Sequence, residues 1–256
     1  MTLFADLLDL LLPPSCACCG RSGQPWCQPC QPATRPALVR GAAGPPVYAA
    51  GEYADQLRLA LLAYKERNRR QLAPRLADYL VGAVEGARRP LPADRQPVLV
   101  PVPSRRSAAR LRGGDHLLRL ATLTGRLTGL PVVTALRLRA PVRDSAGLTA
   151  EQRQQNLAGR LLAAPPSSGR LAAIVLDDIV TTGATLTEAE RALTAAGWPV
   201  VTGAVIAATR LRHPASIVGA DRRRAGRAMP PGTQPERGLF QVDPWPFQLG
   251  RSPVKG

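Results

Sequence analysis

Two adjacent carboxylates, Asp177 and Asp178, are followed closely by the small, hydroxyl-rich run Thr181-Thr182-Gly183-Ala184-Thr185. An adjacent acid pair suits a sugar diol, which offers two hydroxyl donors, or a magnesium shell. The run after it is free of bulk, so its backbone N–H groups and hydroxyls can converge on an anion. Thr185 and Glu188 have capping-box spacing, which predicts a helix starting there, with Leu186, Ala189, Leu193 and Ala196 on one apolar face and Gly197 as its stop. An anion at 181–185 would then meet a helix N-terminus. The element that must carry the acids is Ala173-Ile174-Val175-Leu176, whose unbroken apolar run predicts a central parallel strand covered on both faces. The acids stand at its carboxyl end, where open α/β sheets bind ligands.

A second chemical cluster lies near the start. The five cysteines fall within residues 16–30, and Cys16, Cys19, Cys27 and Cys30 form two C-x2-C pairs that can surround a tetrahedral zinc ion. Four thiolates leave no open position, so the expected role is structural. Cys18 is left over; the odd count argues against a full set of disulfides and for a reducing compartment. The Pro-rich span 31–46 reads as a linker.

Between these clusters the periodicity is helical twice. Tyr53, Leu57, Leu61 and Tyr64 share one helix face, and Leu72, Leu76, Tyr79, Leu80 and Ala83 another. Lys65 sits between them in a run of arginines, either as a distinctive ammonium or as part of a solvated charge run. Val98-Leu-Val-Pro-Val-Pro103 predicts a strand, and the loop after it, with Ser104, Arg105 and Arg112, reads either as a pyrophosphate cradle or as an exposed arginine loop. Asp115 is placed to cap a helix from His116 to about Thr128, ended by Gly129 and Pro131. Further strands are expected over 132–136 and 200–207, with 141–156 between them long enough for a functional lid. The two histidines, His116 and His213, lie far in sequence from the acid pair, which points to a site without a histidine proton shuttle.

The chain has 256 residues and a net charge of +16, and its 34 basic residues include two lysines, Lys65 and Lys255. Such a balance favours phosphates, nucleic acid or acidic surfaces, and equally matches arginine scattered through loops. No apolar run reaches the roughly 18 residues of a membrane span. Segment 1–13 lacks a basic start and carries Asp6 and Asp9, so it reads as a docking helix of a cytoplasmic protein rather than a signal. Beyond 214 the periodicity collapses into a basic, Pro/Gly-rich tail expected to be disordered. Neither a P-loop nor a dinucleotide-binding glycine fingerprint is present. These readings divide the chain into 1–46, an α/β domain over 47–213, and 214–256.

The acid pair with its Thr-Thr-Gly-Ala-Thr run resembles the phosphoribosyl pyrophosphate (PRPP) motif of type I phosphoribosyltransferases. With Tyr64-Lys65, Pro101-Val-Pro103, Arg112-Gly113, Arg153-Gln-Gln-Asn156 and the two cysteine pairs, the chain resembles the ComF family over about residues 4–210. The chain differs at Gly114-Asp115, where members often carry Phe-Asn, and at Ser145, often Gln. The resemblance implies an open, mainly parallel sheet of the type I phosphoribosyltransferase kind beside a small zinc element. It implies that Asp177 and Asp178 hold the ribose hydroxyls and that Thr181, Thr182, Gly183, Ala184 and Thr185 hold the 5-phosphate. Lys65 and the loop with Ser104, Arg105 and Arg112 would lie near the pyrophosphate with its Mg2+, and Arg153 and Asn156 would belong to the flexible loop. Asp177, Asp178 and Lys65 are then the candidate catalytic residues for phosphoribosyl transfer to an acceptor that no motif identifies. The family's association with DNA uptake in competent bacteria gives a second expectation, an accessory protein that handles single-stranded DNA and uses PRPP as a ligand only.

Overall fold

A computed structural model describes residues 14–39, 44–103, 115–139, 159–199 and 201–209, which fall within a compact unit, Met1–His213. The expected N-terminal helix, the loop carrying Ser104, Arg105 and Arg112, the 141–156 connection with Arg153 and Asn156, and the tail from 214 lie outside the described residues. Among the described residues no helix is long and apolar enough to cross a membrane.

The chain builds a mixed α/β structure on a five-stranded sheet. In sequence order the strands are β1 (Ala37–Val39), β2 (Val47–Glu52), β3 (Gln96–Pro101), β6 (Leu171–Val180) and β7 (Val201–Ala208), with β4 (Leu136–Leu138) and β5 (Leu161–Ala163) pairing separately as a two-stranded antiparallel ribbon. Across the main sheet the order is β1-β2-β7-β6-β3; β1 runs antiparallel at one edge and every other neighbour pair is parallel. The helices are α1 (Asp55–Glu66), α2 (Ala73–Arg88), α3 (His116–Thr128) and α4 (Ala184–Ala195).

Two apolar layers sandwich the sheet. On one face Ile174, Leu176, Ala204 and Ile206 pack with Leu57 and Leu61 of α1, Leu76 and Leu80 of α2, and Leu120 of α3. On the other, Ala173, Val175 and Val205 pack with Leu186, Ala189 and Leu193 of α4 and with Leu136 and Leu161 of the ribbon. Such double coverage is why β6 and β7 carry continuous apolar runs: every residue of β7 is buried. At Gly86 a Cβ would come within 2.7 Å of the Tyr48 ring, so the absent side chain lets α2 lie directly on β2.

Several sequence expectations hold at residue level. Asp115 Oδ1 accepts from Leu117 N and Leu118 N at 3.0 and 3.2 Å, and Gly129 takes φ 71° to end α3. Three others need correction. The span 31–46 is more than a linker: it contains β1, and its Pro32 carbonyl accepts from the Tyr79 hydroxyl at 2.8 Å. The strand expected over 132–136 begins at Leu136, because Val132 makes only an isolated bridge to Leu99 and the ladder partner, β5, lies opposite Leu136–Leu138. The capping box is not formed. Helix α4 starts two residues earlier, with Gly183 rather than Thr185 as its cap, in a left-handed conformation, and Glu188 is used elsewhere. Its buried carboxylate accepts from Leu161 N at 3.1 Å and from the Arg191 guanidinium at 2.7 and 2.8 Å, while Arg191 also donates to the Leu161 carbonyl. That fork fastens the ribbon to α4.

Candidate functional site

The crest of the sheet has a natural opening between β3 and β6. The ladder of β3 against β6 ends at Pro101 opposite Leu176, whereas β7 continues to pair β6 as far as Val180. The helices that follow these two neighbouring strands also lie on opposite faces, α3 on one and α4 on the other. A crevice is expected where such connections diverge, and the acid pair stands at its edge.

Strand alternation sends the two acids to opposite sides. Asp178 continues the series Ile174 and Leu176 and turns toward α1 and α3; Asp177 continues Ala173 and Val175 and turns toward α4. The paired clamp suggested by the sequence is therefore split, because the strand runs on through both acids rather than ending before them.

On the α4 side, Asp177 lines a small concavity, open to solvent, together with Val180, Thr181, Thr182, Gly183, Ala184 and Thr185. Gly183 has φ 80° and ψ 0° directly before helical Ala184, a bend that turns successive N–H groups toward one point. By position the N–H groups of Ala184, Thr185 and Leu186 have no acceptor within the helix. The Ala184 N–H makes only a long bond, 3.4 Å, to Thr182 Oγ1. The helix dipole adds a partial positive charge at the same place. These donors suit a phosphate-sized anion. Asp177 Oδ1 accepts from the Asp178 N–H at 2.8 Å. Burial, reinforced by the neighbouring Asp178 charge, pushes the Asp177 carboxyl well above its ordinary value despite the pull of Lys65.

On the α1 side, one oxygen of Asp178 is shared. Its Oδ2 lies 2.7 Å from Lys65 Nζ and 3.0 Å from His116 Nε2. Burial alone would push this carboxyl up, but the His116 hydrogen bond and the Lys65 charge outweigh it and hold Asp178 below the ordinary carboxylate range. Lys65 is likewise drawn down by burial and up by Asp178, with the upward pull winning, so it stays an ammonium. Tyr64 completes the corner: its hydroxyl donates to the His116 carbonyl at 2.8 Å, and burial pushes its pKa up to about 12. Lys65 is therefore no solvated charge but a partner of the motif.

His116, read from the sequence as lying away from the motif, stands beside Asp178. It lies 62 residues from Asp178 in sequence, and the two meet because α3 brings its first residue to the crest beside β6. Asp115 was the local signal that could have found it, since a strand, a loop and a capped helix start define where residue 116 must stand.

The cysteine element forms a separate centre. The sulfurs of Cys16, Cys19, Cys27 and Cys30 lie within 4.8 Å of one another and are positioned to bind a metal ion. A tetrahedral ion with metal–sulfur bonds of about 2.3 Å needs sulfurs about 3.8 Å apart; Cys19 and Cys27 stand at 3.6 Å. Backbone N–H groups of Cys18 and Cys27 point at Cys16 Sγ from 3.4 and 3.5 Å, and these amides, with that of Cys19, overcome burial to bring the Cys16 thiol down to about 6. Burial pushes the Cys27 thiol up, and the hydrogen bond with Cys27, with burial behind it, pushes Cys30 up; a shared cation is what would let these sulfurs ligate as thiolates. Cys18 is outside the quartet, with its Sγ 3.5 Å from the Gln56 carbonyl. Among the described residues Asp177, Asp178 and His116 do not form a second such group. No protein-family model matches this chain, and no curated protein matches it.

Proposed function

We propose that the crevice binds PRPP and that the chain is a phosphoribosyltransferase-like protein of the ComF family carrying a structural zinc ion. The observation that carries this reading is the pairing of a helix-capping anion nest, 181–185, with a carboxylate, Asp177, in the same concavity. The nest suits the 5-phosphate, which would meet the N–H groups at the start of α4 and the hydroxyls of Thr182 and Thr185. Asp177 is the acid placed to accept from the ribose hydroxyls. Asp178 serves the site from behind, keeping Lys65 charged and oriented toward the diphosphate. Magnesium finds no ligand cluster of its own among the described residues and would arrive with that diphosphate.

In phosphoribosyl transfer the bond from the anomeric carbon to the diphosphate oxygen breaks, pyrophosphate leaves with the electron pair, and an acceptor lone pair forms the new bond. Positive charge gathers on the sugar and negative charge on the leaving group. Asp177 stabilises the first and Lys65 the second, a contribution of field and position rather than proton relay.

Calorimetric titration with PRPP, with and without magnesium, tests the reading on wild type, Asp177→Asn and Asp178→Asn. The expected result is saturable binding that weakens about tenfold or more in Asp177→Asn, a loss of about 1.4 kcal/mol. Wild-type protein that binds neither PRPP nor ribose 5-phosphate would overturn it.

A further inference from the structure

We infer that the cysteine element is a positioning clamp for Lys65, gripping α1 at both of its ends. Lys65 is in the last turn of α1 and faces Asp178 across 2.7 Å. At the start of that helix, the Gln56 carbonyl receives the Cys18 thiol. At its end the chain reverses through Asn68 at φ 51°, and the Arg69 N–H closes the turn on the Ala63 carbonyl at 3.1 Å. The Arg69 guanidinium then donates to the carbonyl of Ser15, the residue just before the first cysteine of the quartet. Between these two ties, Cys16, Trp26 and Cys27 share one buried cluster with Leu57, Leu61 and Tyr64. Trp26 also stacks on Tyr79 of α2 at 5.4 Å and donates to the Cys30 carbonyl at 2.8 Å.

The element itself buries few large side chains, with Trp26 alone among its residues in the fully buried set. A segment with so little core takes its shape from its metal. Metal occupancy therefore sets where Ser15 and Cys18 stand, and through them the register of α1 and the reach of Lys65. The phosphoribosyl reading enters only in explaining why the position of Lys65 matters; the mechanical coupling stands without it.

Hydrogen exchange on the full chain tests the coupling, comparing metal-loaded wild type, chelator-stripped wild type, and metal-loaded Arg69→Met and Arg69→Lys. Metal content of each variant is measured alongside, and PRPP affinity is titrated separately. Amides of 55–66 are expected to exchange about tenfold faster in Arg69→Met and in stripped protein, while those of 184–195 stay as in wild type. Arg69→Lys, which keeps a donor for the Ser15 carbonyl, is expected to restore most of the protection, and PRPP affinity to fall about fivefold in Arg69→Met. Unchanged exchange at 55–66 in both the stripped protein and Arg69→Met overturns the inference, as does a rise spread equally over every helix. A rise confined to 55–66 in a chain whose wild type does not bind PRPP upholds the clamp and removes the phosphoribosyl reading alone.

Discussion

Removing the charge of Lys65 should expose how much the shared carboxylate contributes to holding α1 and α3 on the sheet. Lys65 Nζ and Asp178 Oδ2 are 2.7 Å apart, with side chains 23% and 7% exposed. At an effective dielectric constant of about 20, unit charges at that distance attract by about 6 kcal/mol before desolvation. Stripping water from the nearly enclosed Asp178 and the less enclosed Lys65 takes back several kcal/mol, leaving a net coupling of about 2 kcal/mol. The assay is a double-mutant cycle of Lys65→Met, Asp178→Asn and the double variant, by denaturant unfolding at neutral pH. Lys65→Met alone should lower the melting temperature by about 4–8 °C. It leaves a buried carboxylate with His116 as its remaining partner. Asp178 is held below its ordinary value, so its stabilisation is present above the unfolded carboxylate pKa and lost as pH falls through the lowered folded one. Neutral pH therefore measures the plateau. A coupling energy below about 0.5 kcal/mol would refute the picture of Asp178 as the hub of this corner.

Asp177 has the opposite sign. Its carboxyl is raised, so ionising it costs stability as pH rises through the folded value, and Asp177→Asn should stabilise by about 1 kcal/mol at neutral pH with no gain below the ordinary carboxylate range, as read by melts across pH. Gly183→Ala forces a Cβ onto φ 80°; it should cost about 1–2 kcal/mol in denaturant unfolding and weaken PRPP binding in the same titration as above, and an unaffected affinity would argue against the nest. Arg191→Met removes the fork on Glu188, whose carboxyl burial raises but Arg191 lowers further; with the guanidinium half in solvent the cost should be about 1–2 kcal/mol at neutral pH, narrowing as acid protonates Glu188. X-ray absorption on the purified chain loaded with zinc should show four sulfur neighbours at about 2.3 Å, and nitrogen or oxygen in that shell would break the quartet.

What could be read from the sequence was what neighbours in the chain decide. The bounds of α3 follow from a cap at Asp115 and a left-handed stop at Gly129, both local, and the buried runs of β6 and β7 follow from their lack of alternation. The cysteine quartet was legible because its ligands are closely spaced in sequence. What escaped depended on partners far along the chain. His116 reaches Asp178 through sheet order, and the acids separate because β6 extends past them by pairing with β7. Glu188 looked like a cap from spacing alone, yet the arrival of β5 gave it the Leu161 N–H to receive. A three-residue strand such as β1, barely buried and set among prolines, carries no periodic signal at all.

That short strand has a practical consequence. Because β1 zips antiparallel along β2, with Ala37 opposite Ala49 and Val39 opposite Val47, it covers one rim of the sheet. Trimming the chain down to 47–213 to obtain a minimal α/β fragment would leave the hydrogen-bonding row of β2 bare. Open rims of that kind recruit further copies, so such a fragment should come out of expression as self-associating material unless residues 37–39 are kept.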